Sequence, residues 1–210
     1  MEHFMTTPRD LLIVTMDRAS GPPAGQGDLS LALAGAELVD LLAARAVALD
    51  GDRIVPGGGA VPDDRLLAEA AAALVREAPY EPVEDWLWRR GRDLSGTYRA
   101  ALEADGLLVR EQRRGMSFRA GPLVPADSPA RRRAADRWAS EDPVLVLLAE
   151  AVGVPGHRHA DAPDAPDVTD DSVATVLAAV NGAVVELGAV RQRKAIEDAA
   201  FDNIWRGGGG

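Results

Sequence analysis

The sequence predicts a mainly α-helical fold, a single globular domain with one or two small β-hairpins, and three observations lead there. Apolar residues recur at helical spacing in most segments long enough to show a period. Strand-like runs are short and bounded by Gly-containing turns. Hydrophobic residues make up 47% of the 210-residue chain and aromatics only 4%, so the core is built mostly from Leu, Ala and Val. Leu and Ala rank among the best helix formers.

Taken in order, Leu11-Leu12-Ile13-Val14 is an apolar run readable as a strand or as the start of a helix. Residues 20–27 are a loop by their Gly and Pro content. Residues 29–48 carry Leu31, Leu38, Leu41, Leu42 and Ala46 at helical spacing. Asp50-Gly51-Asp52 makes a tight turn, with Arg53-Ile54-Val55 a short strand beside it. Residues 56–62 form a Gly-rich loop, and Asp63-Asp64 set negative charge at the positive end of a helix over 65–77.

Pro82 opens a helix over 83–90, and a further helix covers 94–104 and stops at Gly106. Leu107-Leu108-Val109 and Met116-Ser117-Phe118 flank Arg113-Arg114-Gly115 as a β-hairpin. Ser128-Pro129 and Asp142-Pro143 each pair a cap with proline at the first helical position, opening helices through Trp138 and over 144–152. Residues 153–167 are a Pro/Asp-rich loop, and helices over 170–187 and 189–205 close the chain. One domain over 7–205 is expected, with 1–6 and 206–210 as disordered ends.

Charge is segregated. There are 23 Lys and Arg against 33 Asp and Glu, for a net charge of −10. Twelve of the basic residues lie between Arg89 and Arg137 among only six acids, so that stretch is +6 and the remainder −16. A local positive surface on a negative body suits an anionic ligand, while the overall field opposes nucleic acid. The bland alternative makes these arginines solvated helix faces. Arginine outnumbers lysine 22 to one, which points to a GC-rich bacterial genome.

Several classes are excluded or disfavoured. The absence of cysteine removes disulfides, thiolate nucleophiles and cysteine-ligated zinc. The first seven residues show no secretory pattern. Residues 172–190 are apolar but interrupted by Asn181, Gly182 and Glu186, which fits a buried helix better than a membrane span. A cytoplasmic protein is expected, peripheral at a membrane. His157 and His159 with Asp161 and Asp164 sit in the Pro-rich loop without a regular element to preorganise a metal. Gly57-Gly58-Gly59 lacks the Gly-Lys-Ser/Thr of a phosphate loop. No nucleophile and base pair up, so neither catalysis nor a cofactor is expected.

Three functions remain. Trp86-Leu87-Trp88-Arg89-Arg90-Gly91-Arg92 interleaves indoles with guanidinium groups. Arginine forks match phosphate geometry and indoles sit well at a membrane interface, so this segment fits an anionic lipid head group. Arg89, Arg90, Arg92 and Arg99 are the candidate phosphate contacts, and Trp88, Arg113 and Arg114 the candidate membrane or partner contacts. The alternative for Trp86 is a core residue. A winged-helix DNA binder is the second reading, with the arginine-tipped hairpin as wing, although the helix over 94–104 offers only Arg99 as a cation. A protein–protein adaptor or homo-oligomer using the hairpin is the third.

The order of elements resembles the Golgi phosphoprotein 3 family. The resemblance is carried by Leu11-Leu12-Ile13-Val14, a Gly/Pro loop, and Leu33-Ala34-Gly35-Ala36-Glu37-Leu38-Val39-Asp40-Leu41. It continues through Val83-Glu84-Asp85-Trp86-Leu87, Leu102-Glu103-Ala104-Asp105-Gly106-Leu107-Leu108, and the Arg-rich helix that reaches Trp138 before Asp142-Pro143. It spans about residues 7–200. The resemblance implies a mainly helical domain with β-hairpins. It also implies a peripheral protein that recognises phosphatidylinositol 4-phosphate and bridges membranes to protein clients. The family's pocket uses a tryptophan in the first loop and an arginine in the next helix. Here the loop 20–27 has no tryptophan and Ala34 stands at the arginine's place, while Arg92 and Arg99 fall in the region of the mid-chain arginines.

Overall fold

The computed structural model describes residues 6–18, 25–111, 121–156 and 168–207, with side chains described as far as Asp198. The elements run α1 (Thr7–Arg18), α2 (Gln26–Ala43), β1 (Val47–Asp50), β2 (Arg53–Pro56), α3 (Arg65–Ala72) and α4 (Val83–Arg90). They continue with α5 (Leu94–Ala104), β3 (Leu108–Arg110), β4 (Leu123–Pro125), α6 (Pro129–Ala139), α7 (Pro143–Ala151) and α8 (Asp171–Gly207). The mainly α architecture with two small β-hairpins is the one the sequence predicts.

Helix α2 is the centre. Every residue from Leu29 to Val39 is buried, because this helix is apolar or small on all sides and its neighbours cover every face. Helices α1, α3, α4, α5, α7 and α8 all pack on it. Gly35 has a packing role there: a Cβ would strike the Val180 side chain of α8. The missing side chain lets α2 and α8 approach closely.

Leu11 to Val14 lie inside α1, not in a strand, and residues 7–15 of that helix are all buried. A short run apolar on every side carries no period that separates strand from helix, so burial decided the matter. Ser128 and Asp142 cap their helices as the sequence predicts, and Asp64, read there only as a favourable charge, caps α3 as well. Asp64 accepts from the Leu66 and Leu67 amides at 2.9 and 3.0 Å, Ser128 from Arg131 N at 3.2 Å and Asp142 from Leu145 N at 2.9 Å. Helix α3 ends at Ala72, five residues before the predicted end, as the sequence turns toward Ala78-Pro79, where the pre-proline residue disfavours helix.

In the first hairpin Leu49 pairs with Ile54 and Asp50 with Arg53 across a turn whose Gly51 has φ +62°. In the second, Val109 pairs with Val124. The partner of β3 is thus Leu123–Pro125; the expected partner Met116-Ser117-Phe118 lies outside the described residues. The two closing helices are one, since α8 runs unbroken through Gly188 and includes Arg206 and Gly207. A single helical glycine costs only about 1 kcal/mol, too little to break a long helix without a proline or cap. The apolar stretch 172–190 is buried on one face only: Val176, Leu177, Val180 and Ala183 face inward while Val185 and Val190 are exposed.

The close approach at Gly35 yields a prediction. Gly35→Val should destabilise the fold by about 1–3 kcal/mol, as overpacked cores do, measured by urea denaturation. An unchanged midpoint would show that α8 yields freely there.

Candidate functional site

The candidate arginines sit on α4, on α5 and on the Gly91-Arg92-Asp93 link between them. Val83, Trp86 and Leu87 bury one face of α4 against the core, and this orients everything that follows. Trp86 is fully buried and its Nε1 donates to Ala34 O at 3.2 Å. It is a core residue. Trp88 is half-buried and packs against the core from the side.

Arg89 lies over the Trp86 ring at 5.3 Å from its centroid. Its Nε and Nη2 donate to the two Glu81 carboxylate oxygens, each at 2.7 Å, and Nη2 also reaches Ala73 O at 3.0 Å. Arg90 follows Trp86 by four residues and so turns inward with it. Its Nε and Nη2 donate to Glu37 Oε2 and Oε1, each at 2.8 Å. Glu37 is fully buried in the middle of α2, and Tyr98 of α5 donates its hydroxyl to Glu37 Oε1 at 3.0 Å. Burial pushes the Glu37 carboxyl above its ordinary pKa, against the opposing pull of Arg90 and Tyr98. Burial and the Glu37 charge raise the Tyr98 phenol well above its ordinary value.

The expected single positive face therefore divides. Arg110 pairs with Glu103, Arg131 with Asp17, Arg132 with Asp127, and Arg137 with both Asp10 and Asp142. Most of these acids lie outside the 89–137 stretch, on α1 and elsewhere, so packing neutralises part of a charge excess that is local in sequence. Arg92 is exposed and Arg99 half-exposed, and among the described residues neither has a carboxylate or hydrogen-bond partner. Arg113, Arg114, His157, His159, Asp161 and Asp164 lie outside the described residues.

The other candidates resolve simply. The Gly57 and Gly59 amides donate to Ala46 O at 2.9 Å and Arg45 O at 2.7 Å, so they are not free to cradle a phosphate. The adjoining cavity, about 90 Å³ between the first hairpin and α3, is walled mainly by apolar residues such as Val47, Ile54, Val61 and Leu74. Among the described residues no group of three or more His, Cys, Asp or Glu stands ready for a metal ion.

Two charged sites escaped the sequence reading. Arg9, only 8% exposed, bridges Asp64 at 3.0 Å and Asp105 at 2.8 Å. Asp40 accepts from Thr7 N at 2.8 Å, and burial raises its pKa to about 6. The available signal was an acid inside an apolar helix: Glu37 interrupts the run from Leu29 to Leu42 and must find a cation or donor if buried.

The arrangement is a helical domain whose central helix carries a buried carboxylate held by α4 and α5, with two small hairpins at its periphery. A family model described as Golgi phosphoprotein 3 (GPP34) matches residues 8–199. The chain belongs to that family. No curated protein matches it significantly.

Two predictions follow from the charges. Arg90→Ala leaves Glu37 buried without its cation and should cost about 3 kcal/mol of stability, read from denaturant midpoints; a loss below about 1 kcal/mol would mean water reaches Glu37. Between pH 4 and 6 the folded state binds more protons at Asp40 than the unfolded chain, so this group's contribution to stability falls as pH rises through that window. Asp40→Asn should therefore lose less stability than the wild type between pH 4.5 and 7. Equal losses would refute the assignment to Asp40.

Proposed function

We propose that this Golgi phosphoprotein 3 family protein is a non-catalytic, peripheral binder of anionic phospholipid head groups of the phosphatidylinositol 4-phosphate class, acting as an adaptor between a membrane and protein clients. Family membership supports the reading, and the observation that carries it is the pair Arg92 and Arg99. Among the described residues these guanidinium groups have no carboxylate, while the neighbouring Arg89 and Arg90 are paired. They stand seven residues apart, at the start and in the middle of the α5 region, where their forks are open to phosphate oxygens.

Arg89 and Arg90 support this surface from beneath. Their carboxylate pairs hold α4 in place, and α4 sets the position of the link that carries Arg92. A basic residue near an anionic membrane contributes about 1 kcal/mol, so two are a weak anchor. Arg113 and Arg114 supply the further attraction in this reading. Binding is then salt-dependent.

Sedimentation with vesicles tests it. Vesicles containing anionic phospholipid should bring down the wild type, and neutral phosphatidylcholine vesicles should not. Arg92→Glu with Arg99→Glu should cut binding by tenfold or more, since each reversal replaces an attraction of about 1 kcal/mol with a repulsion. The melting temperature should hold, because neither side chain supports the core. A double variant that binds as well as the wild type would remove these residues from the site. A wild type that ignores anionic vesicles at low salt would overturn the function itself.

A further inference from the structure

Helix α8 outruns the body it packs on. Its inward face ends near Arg191, whose Nη1 and Nη2 hold the Asp28 carboxylate at 2.7 and 2.9 Å beside the start of α2. The helix then continues sixteen residues to Gly207, about 24 Å at 1.5 Å per residue. On the side away from the core, Ala178, Gly182, Val185, Ala189, Gln192 and Ile196 follow one another at alternating steps of four and three. That is the spacing of a coiled-coil seam. All six are exposed, with Val185 64% and Ile196 63% accessible.

We propose that this face is an interface between two copies of the chain, packed antiparallel about a twofold axis. The charges beside the seam select both the occupant and its direction. Glu186 and Arg193 occupy equivalent positions one residue after Val185 and Gln192. Both are exposed, and among the described residues neither has an ion-pair partner. In a parallel pair these positions face Asn181, Gly188 and Ala195, which carry no charge. In an antiparallel pair they face each other, so Glu186 meets the second copy's Arg193 and the reverse contact repeats it.

The register that joins those charges also sets Ile196 on the second copy's Val185 and Ala189 on its Gln192. Gly182 and the alanines let the backbones approach. Within Asp171–Asp198 an 18-residue window has mean hydropathy 1.9, long and apolar enough to span a bilayer, but a span there would leave Glu186 in hydrocarbon and Arg193 beyond it without a partner. A second copy satisfies both. Two helices meeting over about twenty residues make a small interface, so the dimer is concentration-dependent.

Sedimentation equilibrium of the full chain tests this. The wild type should pass from monomer to dimer as concentration rises into the tens of micromolar, an association of about 6 kcal/mol, as suits a small interface. Ile196→Glu should remain monomeric with an unchanged thermal melt. Glu186→Arg and Arg193→Glu should each weaken association roughly tenfold by turning two attractions into two repulsions, and the double variant should restore it. A monomer at every concentration would overturn the proposal. So would a dimer indifferent to the single reversals, or a double variant that stays weak. A monomeric wild type whose binding to phosphatidylcholine vesicles is lost in Val185→Glu would assign the face to lipid instead.

Discussion

A carboxylate buried in the middle of the central helix constrains everything around it. Glu37 has no exposure, and an ionised group in such a place is tolerated only with full hydrogen-bonding compensation. Arg90 supplies two charge-assisted bonds from α4 and Tyr98 one from α5. Three helices distant in sequence are thereby fixed in register. A well-packed apolar trio of similar volume would give comparable stability, so what the ionic arrangement adds is specificity: sliding α4 by a turn would strand a charge.

The same device recurs outward from that centre. Arg9 joins α1 to the start of α3 and the end of α5 through Asp64 and Asp105, and Arg137 joins α6 to α1 and to the start of α7 through Asp10 and Asp142. Two of those carboxylates, Asp64 and Asp142, also cap helices. One side chain thus stops a helix end from fraying and anchors it to a neighbour. Among the described residues much of the arginine-rich stretch serves this purpose, and Arg92 and Arg99 are left without a carboxylate. Because α4 is pinned at both Arg89 and Arg90, the link carrying Arg92 is presented by a fixed support and not by a floppy loop.

How legible this was depends on whether the signal was local. Caps and proline-opened helices were read almost to the residue because Asp64, Ser128-Pro129 and Asp142-Pro143 act within one turn. The first hairpin was legible in the Asp-Gly-Asp turn. The strand that pairs with β3 was misplaced because short strands carry little information about register. The break assigned at Gly188 was absent because glycine lowers helix propensity without ending a helix. At the candidate site the sequence named the arginines of α4 and α5 but not which of them would be paired. Arg90 stood four residues from Trp86, which placed it on the inward face, while Arg92 and Arg99 carried no such mark.

By itself the amino-acid order determined the helical class, most helix starts, the family and the uneven distribution of charge, because periodicity, caps and composition act over a few residues. Only the tertiary structure decided which arginines are neutralised and which remain open. Ion pairing is settled by distances between side chains: Glu37, Asp17 and Asp10, which meet Arg90, Arg131 and Arg137, lie 53, 114 and 127 residues away along the chain.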